Sequence, residues 1–170
     1  MKHLAMTALA LWLTWLAPAV QAADDAIFTD FADQPRSIES YAGGGKWLVV
    51  MIWASDCSVC NREMGQYVQF YQAHKDKDAT VLGISIDGQA KKAAAQAFIE
   101  RHALPFPNLL AEPEAAVLYY VMHTQASFGG TPSFLIYAPD GQLTAAQAGA
   151  VPPQLIADFI ADNSQTAKAD

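Results

Sequence analysis

Cysteine is scarce in this chain, with two among 170 residues. That excludes a fold stapled by several disulfides, so a hydrophobic core must carry the structure. Basic residues are also few and nowhere clustered, 10 Lys and Arg against 17 Asp and Glu, which argues against a nucleic-acid partner. Zinc needs about four ligands, and beyond the two cysteines the body of the chain offers only His74, His102 and His123. No metal site and no cofactor are therefore assigned. The glycines Gly43–Gly45 are not followed by the Lys-Ser/Thr helix start of a phosphate-binding loop, and read as a turn. The chain has no internal repeat and no low-complexity segment.

The N-terminus has the three-part layout of a secretory signal peptide. Lys2 and His3 form a basic head, Leu4 to Ala17 is almost wholly apolar, and Pro18 and Val20-Gln21-Ala22 supply the break and the small residues at a cleavage site. The apolar run is short for a membrane span, which takes about 20 residues. Residues 1–22 are predicted to be removed, and an uncleaved N-terminal anchor is the alternative. Export to the periplasm follows. Removal takes away one Lys and no acid, leaving a formal charge of −8. Residues 23–162 then form one domain, with 163–170 as a polar, frayed tail.

The two cysteines lie three apart, as Cys57-Ser58-Val59-Cys60. A bridge between them closes almost no loop and adds little chain-entropy stabilisation. The pair reads as chemistry rather than as a staple. It follows Trp47–Trp53, a continuous apolar run with the length of a strand covered on both faces. From Cys60 to His74 the pattern is helical, with Met64, Tyr67, Val68 and Tyr71 on one stripe. Thr80–Ile86 reads as a second buried strand. Lys91–His102 reads as a helix with Ala94, Ala97 and Phe98 inward. Glu114–Met122 is a helix with Pro113 in its first turn. Ser133–Ala138 and Gln142–Ala148 form a hairpin around Pro139-Asp140-Gly141. Gln154–Ala161 is a closing helix with Leu155, Ile156, Phe159 and Ile160 inward. Alternating strands and helices ending in a hairpin and a helix predict an α/β fold with a mixed central sheet flanked by helices.

A strand-to-helix junction suits a reactive cysteine. The first Cys meets free backbone N–H groups and the positive end of the helix dipole, which favour the thiolate. The second, one turn along, can resolve a mixed disulfide. Cys57 is thus the expected attacking thiol and Cys60 the resolving thiol, the two forming a disulfide when oxidised. Asp56 opposes the Cys57 thiolate if it lies close, Ser58-Val59 carries no charge, and Arg62 offers a cation in the first turn.

Trp53-Ala54-Ser55-Asp56-Cys57-Ser58-Val59-Cys60 resembles the W-A-x-x-C-x-x-C site of thioredoxin-fold proteins. More narrowly, the chain resembles the exported thiol–disulfide reductases of the TlpA/ResA family, through Cys60 to Glu63 and through Gly130-Thr131-Pro132-Ser133-Phe134-Leu135-Ile136 followed by Asp140-Gly141. The resemblance implies a thioredoxin fold with a cis Thr131-Pro132 bond. It implies an extra βα unit before that proline, in Gly88–Met122, since Cys60 and Pro132 stand 72 positions apart. It implies protein disulfide substrates held by Trp53, Thr131 and Pro132, and a membrane thiol-reducing electron donor. Ordinary thioredoxins carry a buried Asp where Met51 stands, and Glu63 is the substitute expected to exchange the proton of Cys60. Gly65 replaces a common helix-kinking Pro. Ser133 replaces the acid of cytochrome-maturation members. The Pro-x-x-x-Thr-x-x-Cys pattern of peroxiredoxins is absent. The alternatives are the oxidase or isomerase direction, and a non-catalytic thioredoxin-like binding module, with or without copper.

Overall fold

A computed structural model describes residues 27–166. The expected leader lies outside the described residues, as do residues 167–170 of the expected tail. The strands are β1 (Phe28–Asp30), β2 (Pro35–Arg36), β3 (Trp47–Trp53), β4 (Ala79–Ser85), β5 (Asn108–Leu110), β6 (Ser133–Tyr137) and β7 (Leu143–Ala148). The helices are α1 (Ser58–His74), α2 (Lys92–Arg101), α3 (Pro113–Thr124) and α4 (Pro153–Thr166). All seven strands join one mixed sheet in the order β2-β1-β5-β4-β3-β6-β7. Strand β3 runs parallel to β4 and antiparallel to β6.

Strand β3 is buried along its whole length, and its pleat divides the core in two. Trp47, Val49, Met51 and Trp53 pack with Cys60, Met64, Tyr67 and Phe70 of α1 and Ile156 and Ile160 of α4. Leu48, Val50 and Ile52 face the other way, against Ala116, Tyr119 and Tyr120 of α3. A strand covered on both faces reads as an unbroken apolar run for this reason. In β4, a Cβ on Gly83 would fall 2.0 Å from Asn108 Oδ1 and 2.9 Å from Trp53 Nε1. Glycine leaves the room in which the Trp53 indole N–H donates to Asn108 Oδ1 (3.3 Å).

This is a thioredoxin fold. Between β4 and β6 lie a single 3-10 turn (Gln89–Lys91), α2, β5 and α3, one strand and one helix more than a simple crossover needs. Helix α2 and strand β5 fall within the expected Gly88–Met122, and α3 runs two residues past it, to Thr124.

The helix phases differ from the sequence pattern in three places. In α1 the buried residues are Cys60, Met64, Tyr67 and Phe70, with Val68 and Tyr71 only partly buried. In α2 the inward pair is Ala95 and Phe98, whereas Ala94 and Ala97 are exposed. Phe98 sets the phase by stacking on Trp53, with ring centroids 4.4 Å apart, and alanines exert little pull of their own. In α4, Leu155 is 59% exposed while Ile156 and Ile160 are buried. Helix α4 also continues to Thr166, past the expected end of the domain at 162. The Trp47 indole N–H donates to Ser164 Oγ (2.9 Å) and ties this last turn to β3. No helix among the described residues is long and apolar enough to cross a membrane.

Candidate active site

Strand β3 ends at Trp53, and Ala54-Ser55-Asp56 turns the chain into α1. Cys57 is the N-cap of that helix, with extended backbone (φ −71°, ψ 110°), and its Sγ accepts the backbone N–H of Cys60 at 3.0 Å. The two cysteines are joined as a disulfide with Cα atoms 5.2 Å apart. Cys57 is partly exposed and Cys60 is 0% exposed. A sulfur at an N-cap, receiving an otherwise unpaired helix N–H, is where a thiolate gains most from the helix terminus.

Opposite Cys57 lies the loop before β6. The Thr131-Pro132 bond is cis, and the Thr131 carbonyl oxygen sits 3.4 Å from Cys57 Sγ. The loop is pinned on both sides. Ser133 Oγ donates to Gly130 O (2.6 Å), and the Gly149 N–H donates to Pro132 O (2.9 Å).

Behind the dithiol is a polar cluster that the sequence reading missed. Ser55 donates its backbone N–H to Asp87 Oδ2 (2.9 Å) and its hydroxyl to Asp87 Oδ1 (2.7 Å). Ser85 Oγ also donates to Asp87 Oδ2 (2.6 Å), and Asp87 is only 7% exposed. From the helix side, the Asn61 amide donates to Ser55 O (3.1 Å) and Cys57 O (2.9 Å). Asn61 Oδ1 in turn accepts from Arg101 Nη2 and faces His102 Nε2, each at 3.2 Å. Burial, and then the Arg101 charge, lower the His102 pKa. The sheet register brings part of this cluster together. Parallel strands β3 and β4 pair Trp53 with Ser85, so residues two further on, Ser55 and Asp87, leave the sheet side by side.

The remaining expected site residues fall as follows. Trp53 is 0% exposed, stacked on Phe98 and hydrogen-bonded to Asn108. It is therefore core, with no edge open to substrate, contrary to the expected contact. Met51 is fully buried beneath the site. Glu63 has 21% of its side chain exposed and lies 4.0 Å from Arg62, whose side chain is mostly in solvent. Burial, and then the Glu63 charge, raise the Tyr67 hydroxyl well above its ordinary pKa. Tyr67 donates to the Val151 carbonyl. Asp56 does not stand uncompensated beside Cys57, because Lys91 Nζ pairs with it at 2.9 Å. The Lys91 hydrogen bond, and then its charge, hold the Asp56 carboxyl below the usual range. Among the described residues no three His, Cys, Asp or Glu side chains converge as a metal site.

Residues 17–146, more than half of the chain, match the AhpC/TSA family. The chain belongs to that family. It is 27% identical over 88 residues to the thiol-disulfide oxidoreductase ResA of Geobacillus kaustophilus, an alignment covering 52% of this chain and 48% of that protein. It is 36% identical over 79 residues to the alkyl hydroperoxide reductase C of Mycobacterium tuberculosis, covering 45% and 40%. The chain thus spans about half the length of these curated relatives or less. Among solved structures it resembles a secreted Mycobacterium tuberculosis disulfide oxidoreductase homologous to E. coli DsbE. That match has a TM-score of 0.60 and 24% identity, and covers 82% of this chain and 99% of that one.

Proposed function

We propose that this chain is an exported, periplasmic thiol–disulfide oxidoreductase that reduces disulfides in protein substrates. The observation that carries the reading is the placement of Cys57. Its sulfur caps α1, receives the Cys60 N–H, and faces the backbone of Thr131 beside a cis proline. Reduced Cys57, as thiolate, attacks one sulfur of a substrate disulfide, forming a mixed disulfide and expelling the other substrate sulfur as a thiolate. The Cys60 thiolate then attacks the Cys57 sulfur. The Cys57–Cys60 disulfide forms and the second substrate thiolate leaves, so the substrate gains two electrons and the chain loses two. Thr131 and Pro132 supply the edge against which an extended substrate segment lies. Glu63 exchanges the proton that Cys60 must lose before the second attack. A membrane dithiol donor restores the reduced pair, because the periplasm is oxidising.

Kinship with a hydroperoxide reductase does not favour a peroxidase here. In the Pro-x-x-x-Thr-x-x-Cys pattern read against Cys57, the Thr position is Ala54 and the Pro position is Val50, in the middle of β3. The test is dithiol-driven reduction of insulin. The wild-type chain accelerates it and Cys57→Ser abolishes the acceleration; equal rates for the two would refute the exchange reading. Export is checked by sequencing the mature N-terminus, expected at Ala23; an intact Met1 in a membrane pellet would favour the anchor.

A further inference from the structure

We propose that Asp87 is a positioning residue for Cys57, acting through Ser55; the inference rests on the dithiol reading above and specifies what holds its nucleophile in place. Asp87 is almost fully buried, yet three donors converge on its carboxylate: the Ser55 N–H, the Ser55 hydroxyl and the Ser85 hydroxyl. Among the described residues no cation forms an ion pair with it; its charge adds only a minor part to the field that keeps Lys91 protonated, behind the Asp56 hydrogen bond and charge. A buried carboxylate is costly unless its acceptors are used, and here two of the three donors belong to one residue, two positions before the attacking cysteine. Asn61 closes the arrangement by donating to Ser55 O and Cys57 O.

All of the hydrogen-bonding groups of Ser55 are thereby committed, which fixes the turn that places Cys57 at the N-cap. While the disulfide is closed, the bond to Cys60 does the same job. Once it is opened by reduction, the two sulfurs are no longer tied. The Ser55 clamp then keeps Cys57 Sγ on the Cys60 N–H and so stabilises the thiolate. The exposed pair Asp56–Lys91 cannot substitute, since it is a solvent-screened contact.

The clamp and a bare charge effect have opposite signs. A negative charge held near Cys57 opposes its thiolate, so removing it would lower the Cys57 pKa. Losing the clamp frees the N-cap and raises it. The experiment follows alkylation of Cys57 against pH in the reduced full chain, for wild type, Asp87→Asn, Ser55→Ala and the double variant. Asparagine keeps the size of Asp87 but turns an NH2 group toward donors. The expected result is a higher Cys57 titration point in Asp87→Asn, with alkylation at pH 7 slowed about tenfold, one pKa unit. Ser55→Ala, which changes no charge, shifts in the same direction by about threefold, and the double variant shifts less than the sum of the two. A lower titration point in Asp87→Asn, or a wild-type profile in Ser55→Ala, would overturn the proposal. Ser55→Ala removes one hydroxyl, so the test survives if Asp87→Asn fails to fold. Alkylation needs no disulfide substrate. Failure to reduce insulin therefore counts against the exchange reading alone, and a wrong-signed titration counts against the clamp alone.

Discussion

On the strand side of the dithiol, Ser55 has its N–H, its hydroxyl and its carbonyl all engaged, by buried Asp87 and by Asn61. On the helix side, in the turn after Cys60, Glu63 is partly open to water beside the exposed Arg62, and Gly65, two residues on, is exposed with open space where a Cβ would stand. Asp87 on one flank and Glu63 on the other are acids in opposite conditions. Asp87 is enclosed and saturated with donors. Glu63 keeps access to water, which the proton exchange proposed for it requires. On the proposed reading, holding the nucleophile and moving the proton are divided between the two sides, and each can be disturbed without the other.

Outside the Asp87–Ser55 pair, Asn61→Ala is the largest disturbance of this division. It removes the donors to Ser55 O and Cys57 O and leaves Arg101 and His102 without their shared acceptor. We expect about 1–2 kcal/mol lower stability by denaturant titration, and Cys57 alkylation slowed by about threefold or more at pH 7. Unchanged alkylation with lowered stability would confine Asn61 to folding. Glu63→Gln should act on the other step. Cys57 alkylation stays within about twofold of wild type, while resolution of a preformed mixed disulfide slows and its pH dependence flattens. A large change in alkylation instead would erase the division between the flanks. Lys91→Met is the smallest. It leaves the Asp56 carboxylate uncompensated, so above the carboxylate range the Cys57 thiolate meets one more unscreened negative charge and its pKa rises. The rise should be a few tenths of a unit and vanish at about 1 M salt; an effect that persists in salt would show that Lys91 holds geometry as well as charge.

The fold was legible in the sequence where burial leaves a periodic trace. The β3 run, the end of α1 at His74 and the β6–β7 hairpin follow from it, because a strand buried on both faces admits few polar residues. Strands β1, β2 and β5 were not, since two or three residues carry no period and form only by pairing with neighbours. The inward face of α2 was misread because Phe98, through its stack on Trp53, sets the phase and the alanines do not. In the site, Cys57, Cys60 and Pro132 announce themselves by residue type and order. Ser55, Asn61 and Asp87 do not, because their role depends on which strand lies beside which. Trp53 was half legible: the motif marks its position, but only the stack on Phe98 and the hydrogen bond to Asn108 show that it faces the core.

The central claim is that Cys57 attacks and Cys60 resolves. It is tested most directly by the mass of the intermediate when reduced Cys60→Ala is mixed with a peptide disulfide in excess. The account predicts a stable adduct of one peptide thiol on Cys57, located by digestion, while the wild-type chain under the same conditions ends as the Cys57–Cys60 disulfide with the peptide reduced. Cys60→Ala left without an adduct, or a Cys57→Ala chain that captures the peptide on Cys60 just as fast, would contradict it.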